Sequence, residues 1–378
     1  MDNNNFIAME WDEKFFLSGQ HEWQKLLEKS DVDHFFMSWQ WMSQWWINWG
    51  GRSSDKVCII AIYIKDELVG IAPLYICEST YLNGLVPIKR LQFLGSRYAG
   101  SSGTRSEYLG TIVKKDLEVE VNTVISRAIL NNRDWDEIVL SDLVQGDYFH
   151  QSIINVADNN RLRTRKLSSD QCYSINTEDS FTRYLETLGK NTRLKLFNRR
   201  KALAEHGKVF LEYVDLRKGD EIFRCINEFH HARYGKPAFS PINIEVLRNV
   251  IDSLPESAHL KCSSLLKVDK KPVSAIINIF LDGRIYNIQL GFLEDFDNRI
   301  SLGTLHLGYI IEMAFKSAEI TSFDLLAGEG KSSNYKSHLA RQHSTLESVQ
   351  ILRRPFIRLM YFINDKLKGN YKNSVSGH

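Results

Sequence analysis

Two stretches of this chain carry the same hairpin pattern, and any fold has to accommodate both. In the first, Val57–Ile64 is an apolar run, Lys65-Asp66-Glu67 turns, and Leu68–Ile76 returns. In the second, Leu265–Val268, the turn Asp269-Lys270-Lys271-Pro272 and Val273–Phe280 repeat the design. Laid on each other, Ile64 falls on Val268, Val69 on Val273, Gly70 on Ser274 and Ile71 on Ala275. Branched apolar runs bounded by polar turns read as strands. Each hairpin then leads into a further strand, a loop, a helix and a strand. In the first half these are Leu91–Gly95, a Gly/Ser loop over 96–108, a helix around Leu117–Leu130 and Ile138–Leu140. Two matching series predict a tandem α/β architecture. The boundary is expected near Thr177, after the strand-like Cys172–Ile175, giving domains 1–176 and 177–378.

Length and composition fit that reading. A chain of 378 residues exceeds one average domain, and 43% apolar with 25% charged residues is ordinary for a globular protein. A net charge of +2 exerts no global pull toward DNA or a membrane. The five scattered cysteines, with no C-x-x-C, argue for a reducing compartment rather than a disulfide framework. The polar, acidic start Met1–Asn5 is no secretory signal, and no apolar run reaches the 18 or so residues of a membrane span. A cytoplasmic protein without membrane insertion is expected. Before the first hairpin, Trp23–Leu27 and Phe35–Trp49 read as helices. Ser38 is a plausible N-cap, and Trp41, Trp45 and Trp49 form a stripe suited to packing or to an aromatic cage.

The stretch from Arg284 to Leu339 carries the chemistry. Tyr286–Phe292 alternates like a strand, Glu294–Thr304 is a polar turn opening a long apolar helix, and Thr321–Leu326 reads as a buried strand running into Ala327-Gly328-Glu329-Gly330. Backbone N–H groups and the positive dipole end at such a helix start suit an anion. Beside an open α/β crevice, that is where a phosphorylated cofactor would be held.

At these residues the chain resembles the GNAT acyltransferase superfamily. It looks most like the cellulose-biosynthesis-type acetyltransferases, which are related to the Fem peptidyltransferases with their doubled GNAT fold. The likeness rests on Phe36–Trp41, Leu68–Tyr75, Leu91–Gly95, Asn191–Lys201, Phe229–Tyr234, Phe323–Glu329 and Tyr335-Lys336, in that order along the chain. It implies tandem GNAT-like domains, each a mixed, mostly antiparallel sheet flanked by helices, with the donor site in the second. It also implies an acyl-CoA donor and a primary-amine acceptor, such as a small molecule or sugar precursor. Transfer of an amino acid from charged tRNA, or a non-catalytic scaffold role in polysaccharide or envelope assembly, are the alternatives.

The donor groove is expected along Gln289, Arg299, Ser301, Leu302, Gly303 and Thr304. Leu302 stands where the family's phosphate loop has a further Gly, so an acyl carrier protein or tRNA remains a possible donor. Asp324, at the carboxyl end of its strand, either takes a proton from the amine, anchors its ammonium, or caps the 328–331 amides. Glu329 reaches a ligand from its Gly-flanked loop or is a solvated acid. The resemblance places Tyr335 as the acid that protonates the leaving thiolate. Arg233 offers a fork for a substrate carboxylate, and Lys336 a charge for a phosphate or carboxylate. His306 reads as a buried, satisfied histidine or a base. The run Lys190, Arg193, Lys195, Arg199, Arg200 and Lys201 is a solvated basic face or a phosphate contact. His230 and His231 lack metal spacing, and no metal is expected.

Overall fold

The computed structural model describes residues 6–51, 54–81, 84–98, 103–256, 262–328 and 335–362. The chain divides into two compact units, one of residues 1–169 with 346–378, the other of residues 170–345. This differs from a single cut after residue 176, because the segment from Leu346 groups with the first unit.

In the first unit, β1 (Phe6–Trp11) is followed by α1 (Glu13–Ser18), α2 (Gln20–Leu27) and α3 (Trp39–Trp49). The strands β2 (Lys56–Val57), β3 (Ile59–Ile64), β4 (Glu67–Ala72), β5 (Leu74–Tyr81), β6 (Val86–Phe93) and β7 (Ile112–Val113) come next. Then α4 (Glu118–Asn131), β8 (Glu137–Val144), α5 (Tyr148–Asn159) and the start of β9 (Arg163–Asn176) complete the run. Helix α3 begins at Trp39 rather than Phe35, because the Ser38 hydroxyl accepts from Trp41 N–H while Asp33 holds Phe35 and Phe36 in a preceding turn. Trp41 and Trp45 are buried, and Trp41 donates to Ser106 Oγ at 2.8 Å, so the tryptophan stripe is packing.

The second unit contains α6 (Phe181–Thr187), α7 (Lys190–Arg193), a π-helical stretch Leu194–Asn198, and α8 (Arg200–Ala204). These precede β10 (Val209–Val214), α9 (Asp220–Tyr234), α10 (Pro241–Ser253), β11 (Ser263–Val268) and β12 (Lys271–Leu281). Next come β13 (Arg284–Phe292), α11 (Leu302–Lys316), β14 (Ser322–Asp324) and, crossing back to the first unit, β15 (Gln342–Leu352).

The repeat is built into the register. In the first hairpin Ile62 faces Gly70 and Tyr63 faces Leu68, leaving Val69 as a bulge residue; in the second Leu266 faces Ser274 and Lys267 faces Pro272, leaving Val273. The bulges fall on the aligned pair Val69 and Val273, and the turns place Lys65 and Asp269, also aligned, at positive φ. Both units then pair the returning strand with a third, β5 with β6 and β12 with β13, and set a parallel strand beside it, β8 and β14. Pro73 ends β4, and β5 continues in another sheet; Pro lacks the N–H that a central ladder needs. The last strands are exchanged. The end of β9 pairs with β14, and β15 pairs with β8. Both units are thus mixed α/β folds with mostly antiparallel pairing.

Candidate active site

Strands β13 and β14 run parallel and pair only from Arg284/Ser322 to Tyr286/Asp324. Beyond that, β13 continues to Phe292 while β14 ends, so among the described residues the edge of β13 facing β14 is unpaired from Asn287 onward. Two strands that begin paired and then part leave a notch at their carboxyl ends, where ligands collect in α/β sheets. The first unit contains the same junction of β6 and β8, but there the chain fills it. Leu109 bridges Leu143 in parallel and its N–H donates to Asp142 O at 3.1 Å. The connection from β6 to α4, 94–117, is long enough to send a segment into the gap; that from β13 to α11, 293–301, is short.

One wall of the second unit's notch is α11. Its apolar face, including Leu305, Leu307, Ile310 and Ile311, is fully buried against the β12–β14 core. Each such side chain contributes roughly 1.5–3 kcal/mol on burial. Ser301 starts the helix without a side-chain cap, its hydroxyl lying 3.1 Å from Thr304 Oγ1 instead. The first N–H groups of α11 therefore have no side-chain acceptor there. The other expected phosphate-loop residues are differently placed. Leu302 is buried in the core, and a Cβ on Gly303 would lie 2.8 Å from the Phe292 ring, so this glycine admits the ring rather than a ligand. Arg299 is turned onto Asp297, with Nη2 to Oδ2 at 2.8 Å, and those hydrogen bonds hold Asp297 well below the usual carboxylate range. Gln289 is half-buried on β13, beside the irregularity where Ile277 faces Gln289 and Asn278 faces Asn287.

The opposite wall comes from α9 and the segment after β14. Gly291 lets α9 lie flat on β13, with Phe229 and Ile226 about it. That brings Arg233 over the Phe292 ring, 5.1 Å from its centroid and 5.1 Å from that of Tyr234, with Nε 2.9 Å from Glu294 Oε1. Tyr335 stands close enough to feel both Arg233 and Tyr234. Burial raises its phenol pKa most, Tyr234 raises it further and Arg233 lowers it. The phenol thus stays protonated at neutral pH, as a proton donor must. The expected helix after Tyr335 is one 3-10 turn, Lys336–His338, because β15 begins soon after.

Asp324 and Lys336 hold the loop between these walls. Asp324 is buried; one oxygen accepts from Leu326 N–H at 2.7 Å and the other lies 3.8 Å from Arg284. Leu326 is left-handed at φ 56°, a conformation that costs a branched residue roughly 1–2 kcal/mol and needs such a clamp. Lys336 Nζ donates to Leu326 O and Ala327 O at 2.9 and 2.8 Å. Its ammonium is committed to the protein's own carbonyls. Glu329 lies outside the described residues.

His306 is fully buried between Ser264 Oγ and Ser274 Oγ, each at 2.9 Å, and burial lowers its pKa to about 3. It is a neutral core histidine. In the basic run, Arg200 pairs with Glu312 and lies over Tyr309 and Phe197. Sequence reasoning missed Glu294, Phe292 and Tyr234 as neighbours of Arg233, since only the packing of α9 on β13 assembles them. No group of side chains suited to a metal exists among the described residues.

Residues 190–337 match the family model of the GNAT acetyltransferase domain, a span covering the notch and both of its walls. No curated protein sequence matches the chain. Among solved structures, the chain is similar in fold to FemX, with TM-score 0.58, 12% identity and coverage of 93% of this chain and 99% of that one. It is also similar to a conserved protein of unknown function from Bacteroides thetaiotaomicron, with TM-score 0.50, 11% identity and coverage of 92% and 100%. The match to the GNAT acetyltransferase domain model thus falls within the second unit.

Proposed function

We propose that the protein is an N-acyltransferase that moves an acyl group from acyl-CoA to a primary amine in the β13–β14 notch. The observation that carries this is the asymmetry between the repeats: the same strand junction is plugged at Leu109 in the first unit and, among the described residues, unpaired in the second. An open strand edge offers backbone groups to the amide-rich arm of CoA. The uncapped start of α11 at Ser301 and Thr304 offers N–H groups to its pyrophosphate.

In the transfer, the neutral amine nitrogen attacks the thioester carbonyl, a C–N bond forms and the C–S bond breaks. The ammonium proton passes to solvent, and the thiolate takes a proton from Tyr335, which the site keeps in its neutral form. Positioning supplies much of the remaining rate. Arg233 orients the acceptor through a carboxylate or hydroxyl, with Glu294 fixing its guanidinium. Asp324 and Lys336 act by shaping the 324–328 loop, and we assign them positioning roles. The cellulose-biosynthesis likeness, with a place in polysaccharide assembly, belongs to the same proposal.

A charged-tRNA donor is the second reading. Arg299, Leu302 and Gly303 are engaged by the protein itself, and Lys190, Lys195, Arg199 and Lys201 are exposed or half-exposed cations that suit a phosphate backbone. Release of free CoA thiol from acetyl-CoA by a panel of amines separates the two. Turnover that is lost in Tyr335→Phe supports the first reading. Retention of charged tRNA with no acetyl-CoA binding supports the second.

A further inference from the structure

Residues 355–362 of the first unit are helical, and their two faces are used very differently. Ile357 is buried with Ile88 and Leu352, and Tyr361 packs edge-on against Tyr81 at 5.2 Å, its hydroxyl 2.9 Å from Gln350 Nε2. These contacts pin the helix to the β5–β6 hairpin. The face turned away carries Phe356, Leu359 and Phe362, which are 53, 55 and 44% exposed. Leu85, in the turn of that hairpin and one residue from Val86 in the same cluster, is 80% exposed. Large apolar side chains standing this far into water on two neighbouring elements mark a surface that another phase or molecule covers.

The charges beside them select the occupant. Arg163 donates to Arg358 O at 3.1 Å and lies 5.6 Å from the Phe362 ring centroid, and the half-buried Arg358 lies on the same helix as the exposed apolar groups. Of the acids in this region, Asp136 is engaged by Arg354 and by Lys89 N–H, and the buried Glu137 by Arg90, Tyr81 and Gln350. Downstream, Lys366, Lys368 and Lys372 against Asp365 keep the sequence cationic. A second copy of the chain meets this face poorly, since a two-fold contact sets the same arginines against each other. Aromatic and leucine side chains with flanking arginines match an interfacial helix that sinks its apolar face among acyl chains and binds lipid phosphates. We infer that the 355–362 helix, together with Leu85, docks the protein peripherally on an anionic lipid surface.

Flotation of the full-length protein with phosphatidylcholine vesicles, and with vesicles containing phosphatidylglycerol, tests this. Retention on the anionic vesicles should fall at high salt. It should also fall at least about tenfold in Leu359→Glu and in Arg358→Glu, while Ile47→Glu, an exposed change on α3, leaves it unaltered. Far-UV circular dichroism and the melting temperature establish that each variant is folded. The inference is overturned by equal retention on neutral and anionic vesicles, by no retention on either, or by unchanged retention of folded Leu359→Glu. A dimer in sedimentation that Leu359→Glu dissociates, without vesicle binding, would assign the face to self-association instead.

Discussion

Gly303 and Phe292 are so close that a Cβ on the glycine would stand 2.8 Å from two ring carbons. The glycine lets α11 press against β13. Gly303→Ala should therefore destabilise the protein by about 1–3 kcal/mol, the usual cost of overpacking, and Gly303→Val by more. Urea denaturation checks this. Loss of donor affinity at unchanged stability would place the glycine at the ligand instead.

His306 gives a pH signature. Its folded pKa, about 3, lies below the ordinary 6.5, so between these values only the unfolded state takes up the proton. The stability it supports is complete above pH 6.5 and declines as pH falls, by about 1.4 kcal/mol per unit within the window. The His306→Gln variant should lack this decline, so the wild-type-minus-variant stability difference should itself fall by about 1.4 kcal/mol per pH unit in that window. A His306 resonance titrating near 6.5 in the folded protein would contradict the burial argument.

Tyr335→Phe should lower turnover about 10²-fold, the ordinary size of a general-acid contribution, with donor affinity retained. Because its pKa is raised from 10, ionisation of Tyr335 should not reduce activity until the pH exceeds that value. An alkaline limb well below 10 that disappears in Tyr335→Phe would overturn this assignment.

Asp324 should behave as a clamp on Leu326. Asp324→Asn keeps an acceptor for the Leu326 N–H and should retain most of the turnover. Asp324→Ala leaves that amide unmet and should cost about 1–3 kcal/mol. A stable, inactive Asp324→Asn enzyme would show instead that the charge acts on the acceptor.

The hairpins were legible because branched apolar runs bounded by polar turns are a local signal, and even the bulges fall on the pair Val69 and Val273 that the alignment brought together. Helix α11 was legible from its continuous apolar run. The exchange of β9 and β15 was not, since the choice of pairing partner leaves no local pattern. Nor was the filling of the first notch, because the 96–108 segment reads only as a Gly/Ser loop until Leu109 meets Leu143. Of the proposed site residues, Tyr335 was named through family likeness and Arg233 through its fork. The engagement of Lys336 by Leu326 and Ala327 was invisible, since carbonyls carry no sequence signature.

The proposed donor site is the notch of the second unit. Hydrogen–deuterium exchange of the protein with and without acetyl-CoA addresses it most directly. Saturable protection is expected in 287–292 and 301–305, with the junction of β6 and β8 unchanged. Binding that protects 90–93 and 137–144 instead, or no protection at saturating acetyl-CoA, would contradict it.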